Sequence, residues 1–323
     1  MNAGASSDSA DGTGGAIQLT SGYGTQSSSG AVVLKSSNAG VGGVSGMLQF
    51  RTGEASSGSS GSISLATGNA AASGEGGNIL LQVGSGTEGN GGGISMVAGA
   101  ITGTGIGGSV SGTAGASAST TGGSINLLSG AGTASSSGSI VLRTAASGLN
   151  GVSGALTFAT GTAKLGSSGL VEVLSGSATG GKGGDIRLAV GKGIGTDIIG
   201  GDIIATAGDV SAFTGGLIRV ATGKSDASSS GAIYIQSSNA GDLGVSGSLM
   251  FSTGTTSSGS SGYLKLASGN AVGGKAGDML VVLGTGDTGA GGDILMNAGA
   301  SSDSADGTGG AIRLTSGYGT QSS

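Results

Sequence analysis

The sequence predicts an all-β fold, a parallel β-solenoid built from twenty short units. Three observations lead to this prediction. A glycine-bounded motif recurs about every 15 residues, the apolar residues within it alternate with others, and no segment has a helical period. Alternation with a period of two is typical of a strand with one buried face. Because one such strand cannot bury its face alone, neighbouring units are expected to stack.

Each unit has the pattern glycine, any residue, apolar, any residue, apolar, two residues of any type, glycine. Clear copies span residues 15–22 and 61–68. The flanking glycines are expected to supply the positive φ that a tight corner needs. The glycines that open the units, here called opening glycines, lie at positions 15, 30, 46, 61, 77, 92, 108, 123, 138, 154, 169, 184, 201, 216, 231, 247, 262, 277, 292 and 310. Positions within a unit are counted from its opening glycine, so the alternating apolar residues occupy positions two and four.

A longer period lies above the unit. The motif Gly-Val-Ser-Gly-x-Leu-x-Phe ends at Phe50, Phe158 and Phe251, at separations of 108 and 93 residues. Residues 1–28 recur as residues 296–323 with one difference. We therefore expect residues 1–323 to form a single continuous solenoid and to be an internal part of a longer repeat protein. The expected super-repeats are about 15–122 with seven units, 123–215 with six and 216–309 with six, while 310–323 starts the next period.

The number of units in each turn of the solenoid has two possible values, and one unit per turn is favoured. Super-repeats of six and seven units coexist, and an odd insertion would move all later units to the opposite side of a two-unit turn. Against this, Asp185 and Asp202 hold the same position in adjacent units. One unit per turn would place their like charges one strand spacing apart, which is unfavourable. Two units per turn therefore stays the alternative.

Composition argues against several classes of function. The chain has no His and no Cys, so the usual general base and the thiolate ligand are missing. The net charge is −5 with 12 Lys and Arg, and aromatic residues make up 2%, which argues against nucleic-acid binding. No apolar run reaches the roughly 18 residues of a membrane span. We therefore expect neither an enzyme nor a cofactor, nucleic-acid partner or membrane span.

Aspartate-containing turns are the candidate metal sites. Residues 180–185 and 273–280 resemble in part the calcium-binding nonapeptide of RTX β-rolls. The match is incomplete, since Arg187 stands where the first turn needs an apolar residue and Ala276 replaces a glycine in the second. The calcium candidates are Asp185, Asp202, Asp278 and Asp293, together with Asp8 and Asp11 in the longest loop. Solvated charges that aid solubility are the favoured interpretation.

The Ser/Gly/Ala-rich units, with strands of the form Gly-x-Ile-x-Leu-x-Thr-Gly, resemble the low-complexity repeats of very large secreted solenoid proteins of microalgae, diatoms especially. The resemblance covers the whole chain and implies an extracellular or cell-surface structural role. We expect a structural protein that forms a long, stiff filament by stacked strands, associates with like chains and is open to O-glycosylation. The alternative is a surface-binding module for ice, mineral or adhesive contact.

Overall fold

The computed structural model describes residues 2–7, 13–71, 73–194 and 199–317. None of these residues lies in a helix or a strand, and bends and tight turns interrupt an irregular backbone. The chain divides into two halves, Met1–Ala159 and Thr160–Ser323, and the description holds for each half by itself. The prediction of an all-β parallel solenoid, with either one or two units per turn, is therefore wrong for the described residues.

The predicted strands lack the pairing that a solenoid requires. Backbone hydrogen bonds among the described residues join positions at most 11 apart, as between Gly15 and Gly4. A solenoid turn would instead pair residues one or two whole units apart. Glycine supplies 78 of the 323 residues, and glycine loses more backbone freedom on ordering than any other residue. The position-two side chains stay more than half exposed, so apolar burial within a unit offsets little of that loss.

The exposed surface of the chain is large for its mass. It measures 32018 Å², whereas a compact protein of 29.4 kDa exposes roughly 11,500 Å². No described residue is buried, and Val83 is the least exposed large apolar residue, at 42%. The described part of the chain therefore has no hydrophobic core.

Order is nevertheless present, because the same loop closure recurs along the chain. The Gly30 N–H donates a 2.8 Å hydrogen bond to the Gly22 carbonyl, where Gly22 is the glycine that ends the previous unit. Equivalent bonds of 2.8–3.1 Å run from the opening glycines 108, 123, 138, 216, 231 and 310 to glycines 99, 115, 130, 208, 223 and 299. Each bond closes the loop that joins one unit to the next.

A side-chain contact accompanies this closure, and at some opening glycines it leaves no room for a Cβ. For every opening glycine from Gly30 to Gly310, an added Cβ would lie 2.8–3.9 Å from the position-six side chain of the previous unit. The distance is 2.8 Å for Gly92 against Val83 and 3.0 Å for Gly216 against Ala207. The opening glycines do not have the positive φ that the sequence suggested; Gly42 and Gly58, which do, lie within the loops. Close approach therefore accounts for glycine at Gly92 and Gly201, where the distance is 2.8 Å. At Gly262 the distance of 3.9 Å is an ordinary contact that would accept a Cβ.

Three tight turns recur with the longer period. They are closed by hydrogen bonds of 3.1–3.3 Å from Gly43 to Gly40, from Gly151 to Gly148 and from Gly244 to Gly241. Their separations are 108 and 93 residues, the same as those of the Phe motif. Local backbone geometry therefore follows both the short and the long period of the sequence, although neither period produces a strand.

Candidate functional site

The most regular surface feature is an apolar row, defined as the residues at positions two and four of the units. Position two holds a large apolar residue in every unit, and its exposed fraction stays between 52% and 65%. In the unit that opens at Gly138, Ile140 and Leu142 are 52% and 55% exposed, whereas Val141 between them is 72% exposed. The alternation of the sequence thus survives as an alternation of exposure. It gives most units one side that is apolar and less exposed than its neighbours. Position four is Gly112 in the unit that opens at Gly108 and Ala205 in the unit that opens at Gly201.

Position six is the most sheltered part of the unit. Ser21, Ala98, Ala114, Ser129 and Ala207 occupy this position and are half-buried. The largest residues found there, Val83, Val190 and Leu283, are also the least exposed large apolar residues of the described chain. Contact with the next opening glycine produces this shelter.

Two of the calcium candidates are paired with lysine. The Lys182 Nζ lies 2.6 Å from the Asp185 Oδ1, and the Lys275 Nζ lies 2.8 Å from the Asp278 Oδ2. Both pairs are largely exposed and stand three residues apart, at positions separated by 93 residues. Both lysines lie within the turns predicted as calcium candidates, and their i, i+3 spacing from the aspartates is visible in the sequence, although no role was predicted for them. A positive charge is therefore already beside each of these carboxylates.

The other candidates are not brought together. Asp202 and Asp293 have no hydrogen bond or ion pair in the described part of the chain, and Asp8 and Asp11 lie outside the described residues. No group of three metal-ligating side chains exists among the residues that are described. A further aspartate, Asp303, accepts a 2.9 Å hydrogen bond from the Ala305 N–H, as in an Asx turn. The Asp303 carboxylate therefore stabilises the turn in which it lies.

The concavities on the described surface include two that lie beside charged residues. One, of about 420 Å³, is lined by the consecutive residues 51–54, and the other, of about 260 Å³, is lined by residues 266–268 together with Asp278 and Met279. Each lining contains one hydroxyl and one carboxylate, but no hydrogen bond joins Thr52 to Glu54 or Ser268 to Asp278 in the described part of the chain. Without such a bond the hydroxyl is not activated as a nucleophile. The apolar row is therefore the feature with the clearest capacity to bind something.

No known protein family, curated protein or solved structure matches this chain. In the described residues, no helix has the length and apolar character needed to cross a membrane.

Proposed function

We propose that this chain is a structural protein of extracellular or cell-surface material, and that its role is to associate with copies of itself. The observation that carries the proposal is the apolar row, which repeats in every unit and stays more than half exposed at position two. The extracellular placement follows the resemblance of the repeat to secreted repeat proteins. A stiff filament of stacked strands is not part of the proposal.

Burial of the apolar row between two copies favours their association. Completing the burial of one half-exposed Ile or Leu contributes about 1 kcal/mol. Each contact is weak, but the row repeats about twenty times along one chain, so many contacts act together once two chains have met. The material is thus expected to assemble through many weak and equivalent contacts rather than through one strong interface.

A second copy of the chain is the partner that suits this surface. Its apolar residues recur at the same sequence spacing of mostly 15 or 16 residues, so each unit of one copy offers the same kind of apolar surface as each unit of the other. Charged residues make up only 9% of the chain and the net charge is −5, so repulsion between copies is small. Large exposed apolar surface of this kind marks an interaction site or an aggregation-prone surface.

Sedimentation velocity over a range of protein concentrations tests the proposal. The wild-type chain should form larger species as concentration rises. Replacing four row residues in the variant V32S/L34S/I140S/L142S removes about 4 kcal/mol of burial and should raise the concentration needed for assembly by roughly a thousandfold. The matched control V33S/V141S changes the position-three residues of the same units and should have a much smaller effect.

Several results would contradict the proposal. One is a wild-type chain that stays monomeric at every concentration, and another is equal loss of assembly in the row variant and its control. A monomeric chain that adsorbs to ice or to a mineral surface would favour the surface-binding alternative.

A further inference from the structure

Two Asn–Gly dipeptides occur in the chain, and one hydrogen bond distinguishes them. Asn90–Gly91 and Asn150–Gly151 both lie on exposed loops. The Gly151 N–H donates a 3.3 Å hydrogen bond to the Gly148 carbonyl and closes a tight turn. In the described part of the chain, the Gly91 N–H has no hydrogen-bond partner. The glycine N–H of the dipeptide is therefore hydrogen-bonded at Asn150–Gly151 and not at Asn90–Gly91 in the described part of the chain.

We propose that Asn90 is a site of spontaneous modification, at which the side-chain amide is converted to a carboxylate. The Gly91 nitrogen loses its proton to solvent and attacks Cγ of Asn90, forming a new N–C bond, and the side-chain amide nitrogen leaves as ammonia. Water then opens the cyclic imide at either carbonyl and gives aspartate or isoaspartate. The net reaction consumes one water and releases one ammonia, so it needs no oxidant, metal or enzyme.

The surroundings of Asn90 favour this attack. Gly91 carries no side chain to obstruct the approach of its nitrogen to Cγ, and even an added Cβ would find no atom within 4 Å. Nearby Gly89 has a φ of +77°, a conformation that glycine adopts without strain. The remaining asparagines are followed by Ala, Ile or Leu, whose side chains hinder the attacking nitrogen.

The loop of Asn150 protects it by a specific contact. The Gly151 nitrogen is held towards the Gly148 carbonyl, so the turn has to open before this nitrogen can attack the Asn150 side chain. One backbone hydrogen bond changes an equilibrium by about fivefold. Asn90 should therefore react about five times faster than Asn150 in the intact chain.

Modification changes the charge of one particular loop. The product adds a carboxylate two residues from Glu88 and changes the net charge from −5 to −6. In the isoaspartate product the backbone also gains one methylene at residue 90, two residues before the opening glycine Gly92. The reaction thus alters the junction between two units without any change in the encoded sequence.

Peptide mapping by mass spectrometry, after incubation of the full chain in neutral buffer, tests the proposal. Asn90 should gain the mass of amide-to-acid conversion about five times faster than Asn150. G91A should slow conversion at Asn90 and leave Asn150 unchanged, while G151A should slow Asn150 alone. In concentrated urea, where the turn is lost, the two wild-type sites should react at similar rates.

Two outcomes would overturn the inference. Equal rates in neutral buffer would show that the turn does not protect Asn150. A difference that persists unchanged in urea would assign it to the flanking sequence rather than to the Gly151 hydrogen bond. Neither measurement depends on self-association, so the two proposals can fail separately.

Discussion

The hydroxyl of Ser21 donates a 2.8 Å hydrogen bond to the carbonyl of Gly30, nine residues further along the chain. The Gly30 N–H in turn donates to the carbonyl of Gly22, so backbone and side chain close the same loop. Thr67 makes the equivalent contact with the carbonyl of Gly77 at 3.2 Å. These hydrogen bonds link each unit to the next one along the chain, and each of them spans a single loop.

Removing the hydroxyl of Ser21 should loosen this loop without opening it completely. S21A removes the hydrogen bond from the Ser21 hydroxyl to the Gly30 carbonyl and keeps the bond from the Gly30 N–H to the Gly22 carbonyl. Amide hydrogen exchange at Gly30 should therefore rise by up to about fivefold, as expected for the loss of one exposed hydrogen bond. S29A, which removes a hydroxyl that makes no such closure, should leave exchange at Gly30 unchanged. Equal exchange in both variants would show that the Ser21 hydroxyl does not support the loop.

Adding a methyl group at an opening glycine should disrupt the loop closure directly. The Cβ of G216A would lie 3.0 Å from both the Ala207 Cβ and the Gly208 nitrogen, which is closer than carbon atoms normally pack. The Gly216 N–H should lose its bond to the Gly208 carbonyl, and chemical shifts over residues 207–216 should change. G254A is the control, because its Cβ would find no atom within 4 Å. Unchanged shifts in G216A would contradict the close approach.

The sequence indicates which residues lie on the same side of a unit. It does not indicate whether that side packs against a neighbouring unit. The alternation of Ile140, Val141 and Leu142 is visible in their exposed fractions, because alternation is a local property of the backbone. Pairing of units depends instead on whether contacts repay the entropy of ordering a glycine-rich chain, and a local pattern does not report that balance. The solenoid prediction was wrong at this step.

The reason for glycine could not be inferred from composition either. At Gly92 the sequence suggested a corner with positive φ, whereas the structure shows a 2.8 Å approach of the Val83 Cγ1 to the place of a Cβ. Both explanations predict glycine at the same position. The structure distinguishes the two explanations, because they differ in the backbone angle and the neighbours of the glycine and not in the identity of the residue. The lysine partner of Asp185, by contrast, was readable from their spacing.

Alanine at a loop glycine with positive φ should open a tight turn. Gly42 has a φ of +75°, a conformation that destabilises an L-residue with a Cβ by about 1–2 kcal/mol. In G42A the hydrogen bond from the Gly43 N–H to the Gly40 carbonyl, 3.1 Å long, should weaken, and amide exchange at Gly43 should rise about tenfold. G40A adds a Cβ with no atom within 4 Å and should have little effect. Equal exchange in the two variants would show that the φ of Gly42 does not matter.

Calcium should not bind in a saturable manner at the turns of Asp185 and Asp278. Calcium takes six to eight oxygen ligands, whereas each of these carboxylates faces one lysine ammonium at 2.6–2.8 Å and no second described acidic group joins it. Isothermal titration with calcium chloride should give only heats of dilution. The variant K182Q/K275Q, which frees both carboxylates, should give the same result, because one carboxylate is too few ligands. Saturable binding by the wild type would contradict this prediction, and saturable binding by the variant alone would show that the lysines block a calcium site.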